Sequence, residues 1–407
     1  MSKVPRKPIE LPTELYSATF HPKHTLAPRY SSVAVIGAGP FGVSTVKALG
    51  EEKEFDRIQV FDRRHRIGCT WIYDEEPGPI STSSSQPVRE ITEKLPQSLP
   101  PASENLTART GLYPSLDSNP LPPVNSATSI NRFVEGNPTH PYAEVAGCLE
   151  EIAEPFSHLF TFNTHVERVE KVGMKWRLTL RKTQHYLKHE KREYRWQDTF
   201  DAVVVATGHH GVPYMPNIAG LKETFAALPS RFEHSKAYRS PEDYLSLRLA
   251  EELQRDLERR VGAPERGPEA DGIEKVHSGT GYRLSYPFLR PDPVTPSGRL
   301  AGFYQHVSNV ADPSLAVVGQ VKAAISFRFY ECQAVAVARY FANRGGGLPS
   351  PREQNEWEIK PDSKEYFDFL RQVVDEPVPG TDRHELPAWQ DEWALLGFGV
   401  LSLKQKW

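Results

Sequence analysis

Apolar positions along the chain fall into short runs separated by long polar stretches. Val33-Ala34-Val35-Ile36 is a β-branched run bounded by glycine, the pattern of a strand covered on both faces of a parallel sheet. Val43, Val46 and Leu49 follow at helical spacing, and Ile58 to Phe61 returns as a second strand, which predicts a β-α-β unit of about 30 residues. Further on, the pattern predicts a helix from Pro141 to Phe156 and alternating strand character from Met174 to Leu180. It then gives a buried strand from Ala202 to Ala206, an amphipathic helix over 241–260, a strand from Leu315 to Val318 and a helix from Glu331 to Ala342. Residues 1–30 read as a polar arm. Residues 74–140 are rich in Pro, Ser, Thr and Asn without periodicity, the mark of long covering loops.

Composition changes this picture in three places. The chain has 407 residues, enough for two or three domains, and its 36 prolines fall heavily in 74–140. A net charge of -3 leaves no electrostatic footprint for a phosphate backbone, so nucleic acid is not an expected partner. Cys69, Cys148 and Cys332 are far apart and without paired spacing, which predicts no disulfide framework and no metal site. It also fits a reducing, cytoplasmic location. The first residues lack the apolar run of a signal peptide, and no segment has the roughly 20 apolar residues of a membrane span.

The sharpest local signal is Gly37-Ala38-Gly39-Pro40-Phe41-Gly42, directly after a predicted strand and opening a predicted helix. Asp62 ends the next strand, about 20 residues on, which is dinucleotide-binding spacing. In that reading Gly37 permits the tight turn, Gly39 lets the backbone approach a pyrophosphate, and Gly42 lets helix pack on strand. The helix N-terminus then faces the phosphates and Asp62 the ribose hydroxyls. A second signal is the apolar strand Val203 to Ala206 running into Thr207-Gly208-His209. It is compatible with any strand end, but beside the first glycine loop it suggests the return strand of an FAD domain.

With these motifs the sequence resembles the flavin-containing monooxygenase family, particularly its fungal members. The resemblance is carried, in family order, by Val33 to Val43 with Asp62, by Arg63 to Asp74, Thr110 to Asn119, and Val203 to Leu221. His234 to Arg239, Thr280 to Leu289, and Asp312 to Gln320 running on to Arg344 complete it. It implies an α/β fold: a Rossmann-like FAD-binding domain of three layers around a parallel sheet, with a reduced second nucleotide-binding domain. FAD would be held by Gly37, Ala38, Gly39, Pro40, Phe41, Gly42 and Asp62, with Thr70 and Trp71 beside the flavin and Ser118, Gly208 and Gln333 completing the cofactor contacts. Asn119 matches the family's active-site asparagine, whose amide both donates and accepts and so suits holding a C4a-hydroperoxyflavin. The implied reaction is oxygenation of a soft nitrogen or sulfur nucleophile on a small molecule by molecular oxygen. Tyr238, where ketone-oxygenating relatives carry tryptophan, favours heteroatom over ketone oxygenation. His209, His210, His234 and His306 read as surface or turn histidines rather than catalytic ones.

The sequence departs from the family pattern in two places. The second residue of the family's glycine pair after the ribose acid is Cys69, which leaves the backbone there less free to approach FAD. Between Arg239 and Thr280, where NADPH phosphates would be bound, there is no glycine fingerprint, and Ile273 to Ser278 is too polar for a buried central strand. NADPH binding is therefore expected to be weak or lost. The resulting division is a polar arm at 1–30, an FAD domain at 31–210 and 280–345, a remnant of the NADPH domain at 211–279 and a C-terminal segment at 346–407. The alternative to a working monooxygenase is a non-catalytic or incomplete flavin-binding relative. An FAD oxidase or disulfide oxidoreductase is weakened by the lack of paired redox cysteines.

Overall fold

Strands with apolar groups on both faces must be covered on both sides, and this requirement sets the layers of the molecule. The computed structural model describes residues 30–78, 95–99, 109–118, 140–185, 191–216, 232–241, 276–295, 298, 300–320, 326–344 and 363–373. At its centre β1 (Ser32–Ile36) pairs in parallel with β2 (Arg57–Phe61) on one side and β8 (Ala202–Val205) on the other. Beyond these lie β4 (Phe160–Thr161), parallel to β2, and β15 (Leu315–Val317), parallel to β8. Two short antiparallel strands, β14 (Ser308–Asn309) and β13 (Phe303–Tyr304), finish a seven-stranded sheet of order β13-β14-β15-β8-β1-β2-β4.

Alternation along the strands divides the core. Val33, Val35, Val204, Ala316 and Val318 face a helical layer of α1 (Pro40–Glu52), α3 (Ser326–Phe341) and α4 (Ser363–Val373), meeting Phe329, Val335, Phe341 and Phe367. Ala34, Ile36, Val203, Val205 and Val317 face an antiparallel sheet, whose Trp176, Leu178, Leu180 and Phe200 complete the second core. That sheet has the order β3-β7-β6-β5, formed by Gln97–Leu99, Lys191–Phe200, Lys175–His185 and Thr164–Val172. The three expected layers are present, with an antiparallel sheet as the third. Helix α2 (Tyr142–Ala153) packs Leu149 and Ile152 against Val43.

The predicted strands at 33–36, 58–61, 202–206 and 315–318 and the helices after Gly39 and Pro141 all form. Helix α3 begins at Ser326 rather than Glu331, and α4 stands in the C-terminal segment, where the sequence pattern gave no element. Strands β5 and β7 were also not expected, because charged residues interrupt their alternation. The amphipathic stretch 241–260, apart from its first residue, lies outside the described residues, as does the arm up to residue 29. His306 occupies a turn as expected, whereas His234 ends a short strand, and both are buried rather than on the surface. Among the described residues no helix is long and apolar enough to cross a membrane, and no cluster of metal-ligating side chains occurs.

Candidate dinucleotide site at the strand ends

Three parallel strands leave the central sheet through left-handed glycines: Gly37 after β1 (φ 111°), Gly208 after β8 (φ 71°) and Gly319 after β15 (φ 92°). Connections leave β1 towards β2 and β8 towards β15, so the gap between β1 and β8 is the switch point at which open α/β sheets bind ligands. Two glycines make the turn possible by close packing. A Cβ on Gly37 would lie 2.6 Å from the Ala206 carbonyl oxygen, and one on Gly42 would lie 1.8 Å from the Gly37 carbonyl oxygen. Gly39 caps α1 without a side-chain partner, and the first turn carries no acidic residue, so the orphan amides and positive end of the helix dipole face the crevice.

Asp62 is buried beneath this loop. One carboxylate oxygen accepts from the Ala38 amide at 2.5 Å and the other from the Arg64 amide at 2.7 Å. Desolvation raises its carboxyl above the ordinary range against the pull of these two amides. Asp62 therefore shapes the glycine loop, and each oxygen keeps a second lone pair for a ligand hydroxyl. Cys69 takes a left-handed conformation (φ 49°), and its Cβ is the nearest atom to a Cβ built on Gly39, at 2.8 Å. Burial, with Asp62 adding, pushes its thiol up to about 11, so it stays neutral at physiological pH. The family's glycine is thus replaced by a small neutral side chain resting on Gly39.

The other predicted residues divide. Thr70 and Trp71 lie in a short turn beside Asp62, with Trp71 packed against the cluster of Val43, Leu149 and Ile152. Phe41 closes the crevice from the helix side. A Cβ on Gly319 would fall 2.4 Å from its ring and one on Gly208 3.1 Å from it, and the ring meets Tyr330 edge-on at 4.2 Å. Gln333 is buried and accepts from the Gly319 amide at 2.9 Å, so it shapes the turn. Ser118 exchanges two hydrogen bonds with the His140 backbone, its amide donating to the carbonyl at 2.7 Å and its Oγ accepting from the amide at 3.1 Å. Asn119 lies outside the described residues.

Two residues outside the predicted cofactor contacts are the most informative. Thr207 Oγ1, after β8, and both polar atoms of the Gln320 carboxamide, after β15, are buried without any hydrogen-bond partner. Buried polar groups are nearly always satisfied, and three orphans at the ends of adjacent strands mark a place prepared for a polar ligand. The amides of α1, the glycine surfaces and these orphans together fit a dinucleotide. The only sequence signal for Gln320 was its place just after an apolar strand and Gly319.

A second cluster joins this region to the rest of the chain. Strand β10 (Phe232–His234) pairs in parallel with β11 (Val276–Ser278), and β12 (Tyr282–Arg283) pairs with β9 (Val212–Pro213). Within the polar stretch before Thr280, Val276–Ser278 thus forms a strand, and among the described residues it pairs with β10. Behind it, His234 bonds the Gly281 carbonyl at 3.0 Å and Lys236 donates to the Gly211 carbonyl at 2.7 Å. Arg239 donates to the carbonyls of Asp74, Thr110, Lys236 and Tyr238.

No protein-family model matches the chain. In sequence it is 27% identical over 367 residues to the flavin-containing monooxygenase FMO GS-OX1 of Arabidopsis thaliana, covering 77% of this chain and 74% of that protein. It is 25% identical over 458 residues to the flavin-containing monooxygenase iboF of Amanita muscaria, covering 83% and 84%. The flavin-containing monooxygenase ustF2 of Aspergillus flavus matches at 24% over 412 residues, covering 77% and 82%. Among solved structures, S-allyl-L-cysteine S-oxygenase from Allium sativum has the same fold, with a TM-score of 0.64 at 21% identity, covering 93% of this chain and 94% of that one. Tmm from Pelagibacter sp. gives 0.58 at 18%, covering 92% and 90%. The chain is a relative of the flavin-containing monooxygenases.

Proposed function

We propose that this chain binds FAD at the ends of β1, β8 and β15 and uses it to transfer one atom of molecular oxygen to nitrogen or sulfur of a small molecule, with NADPH as the ancestral electron donor. The observation that carries the reading is the orphaned Thr207 hydroxyl and Gln320 carboxamide beside the uncapped N-terminus of α1. When bound, FAD supplies the two-electron chemistry by which oxygen is activated. The chain's own residues then have distinct tasks. The amides of α1 neutralise the pyrophosphate, and Asp62 keeps lone pairs for ribose hydroxyls. Gln320 and Thr207 provide uncommitted polar contacts at the far strand ends, and the neutral Cys69 and the Phe41 ring exclude water from the loop. Asn119, outside the described residues, is proposed as the residue whose carboxamide would hydrogen-bond the flavin end of FAD when bound. The domain division follows the same logic, with 31–210 and 280–345 as the FAD unit and 211–279 as a reduced nucleotide unit.

The test is FAD uptake by the purified chain and its Gly39→Val variant. The parent is expected to carry or take up FAD. The variant is expected to lose it and to melt lower, because the added side chain crowds the face that a pyrophosphate approaches and its Cβ would lie 2.8 Å from the Cys69 Cβ. A parent without FAD uptake overturns the reading, and a variant that keeps FAD removes the glycine loop from it.

A second reading, a flavin-binding relative without NADPH-driven turnover, is favoured by one observation. In the described part of 211–279, the only parallel pairing is between the three-residue strands β10 and β11. Nicotinamide orientation can account for roughly 7–11 kcal/mol of a hydride-transfer barrier, and a strand pair this short gives it little support. The expected outcome is slow anaerobic reduction of bound flavin by NADPH and fast reduction by dithionite. Rapid, saturable reduction at low NADPH concentration excludes this second reading.

A further inference from the structure

The C-terminal helix α4 reaches the dinucleotide crevice through a buried relay whose direction can be read from its ends. The Gln305 main-chain carbonyl can only accept, and the Tyr366 hydroxyl lies 2.7 Å from it, so this hydroxyl donates there. Its oxygen is then free to accept from Gln333 Nε2 at 2.9 Å. That bond turns Gln333 Oε1 towards the Gly319 amide, which donates to it at 2.9 Å. The carboxamide of Gln333 is therefore held in one of its two orientations from both ends, by the Gly319 amide at Oε1 and by the Tyr366 oxygen at Nε2. Burial pushes the Tyr366 phenol above its ordinary range, so the donor stays protonated at every working pH. Gly319 is the left-handed turn at the end of β15 and the residue before the orphaned Gln320. Its carbonyl bonds His209 at 3.2 Å, so both polar groups of this peptide residue are held by side chains.

We propose that Tyr366 is a positioning residue for cofactor binding. From α4, which packs in the helical layer against the central sheet, it anchors the Gln333 carboxamide, which holds the Gly319 turn next to Gln320. This rests on the reading that the crevice takes FAD. The ring of Tyr366 is packed against Phe329 at 5.7 Å, so Tyr366→Phe removes only the hydroxyl. Without it Gln333 Nε2 loses its acceptor inside the core, and the hold of the carboxamide on the Gly319 turn rests on the Oε1 bond alone.

The experiment titrates parent, Tyr366→Phe and Lys364→Ala apo chains with FAD, following flavin fluorescence and the absorption spectrum of the bound flavin. Lys364 lies on the exposed side of the same helix, paired with Asp368 at 2.5 Å. Tyr366→Phe is expected to weaken FAD binding about tenfold and shift the bound flavin spectrum, with Lys364→Ala within twofold of the parent. If Tyr366→Phe does not fold, Gln333→Glu reads the same relay. Its two acceptor oxygens keep the Gly319 contact but draw the Tyr366 proton from Gln305, and a spectral shift is again expected. A parent that binds FAD beside an affinity and spectrum unchanged in these variants overturns the role of Tyr366. A parent that takes up no FAD overturns the site itself and this role with it.

Discussion

The first β-α-β unit and the β10–β11 unit both place a parallel pair of strands beside a turn, yet they use hydrogen bonding in opposite directions. In the first, Val33 to Ile36 is buried on both faces, and glycines strip the side chains from the turn. The backbone amides and the orphans Thr207 and Gln320 are thereby left to a ligand. In the second, side chains turn inward. His234, Lys236 and Arg239 spend their donors on carbonyls from Gly281, Gly211, Asp74 and Thr110. One unit holds open bonding capacity, and the other closes a joint between segments of the same chain. The difference teaches that a parallel strand pair alone does not make a nucleotide site: donors must also be left unspent at the strand ends.

Matched glycine substitutions measure this difference directly. Gly42→Ala puts a methyl 1.8 Å from the Gly37 carbonyl oxygen, a contact that only displacement of α1 relieves. The expected loss is about 4 kcal/mol or more, with the variant unfolded or unable to take up FAD. Arg239→Ala comes next. It leaves the buried carbonyls of Asp74 and Thr110 without their guanidinium donors, at an expected cost of about 3 kcal/mol in urea unfolding. Gly281→Ala is milder, because its Cβ meets nothing within 4 Å and only the left-handed backbone (φ 78°) resists it. The expected loss is about 1 kcal/mol. A Gly42 variant as stable as the Gly281 variant would mean that the glycine loop is not close-packed.

These two regions also differ in how far they could be read from the sequence. The first unit was legible because each of its signals is local: a β-branched run, glycines at fixed offsets, and an acid ending the next strand. The antiparallel third layer was not, since β5 and β7 carry charges where a sheet normally shows simple polar alternation. Glu167 pairs with Arg195, and Glu193 with Arg181, so these charges sit largely buried on the sheet. Helix α4 had a signal in the spacing of Tyr366, Phe367 and Leu370, all buried in the helical core, but it lay isolated in a proline-containing tail. Asp62 was found by spacing, yet its bond to the Ala38 amide was not, because a carboxylate's partners depend on the fold around it. The motif placed Thr207 in the turn after β8, but its role and that of Gln320 show only in what they fail to bond.

Lys236 gives the smallest effect and the finest reading of the joint. It is buried, and desolvation, with Arg63 adding to it, pushes its ammonium down to about 8 although Asp74 opposes them. Between pH 8 and the unfolded value near 10.5 the unfolded chain binds more protons at this residue than the folded one, so stability rises with pH across that window. Below pH 8 the penalty is complete and constant. Cys69 works in the opposite direction: its raised value means stability is lost as pH climbs from about 9 towards 11. The quantity to measure is therefore the difference between parent and Lys236→Met, by urea unfolding at pH 8 and pH 9, where Cys69 contributes nearly equally to both chains. The parent is expected to gain up to about 1 kcal/mol on the variant over that unit, the limit set by one proton per chain. A difference that stays flat would mean that Lys236 keeps its ordinary proton affinity, and that the joint is more open to water than its hydrogen bond to Gly211 implies.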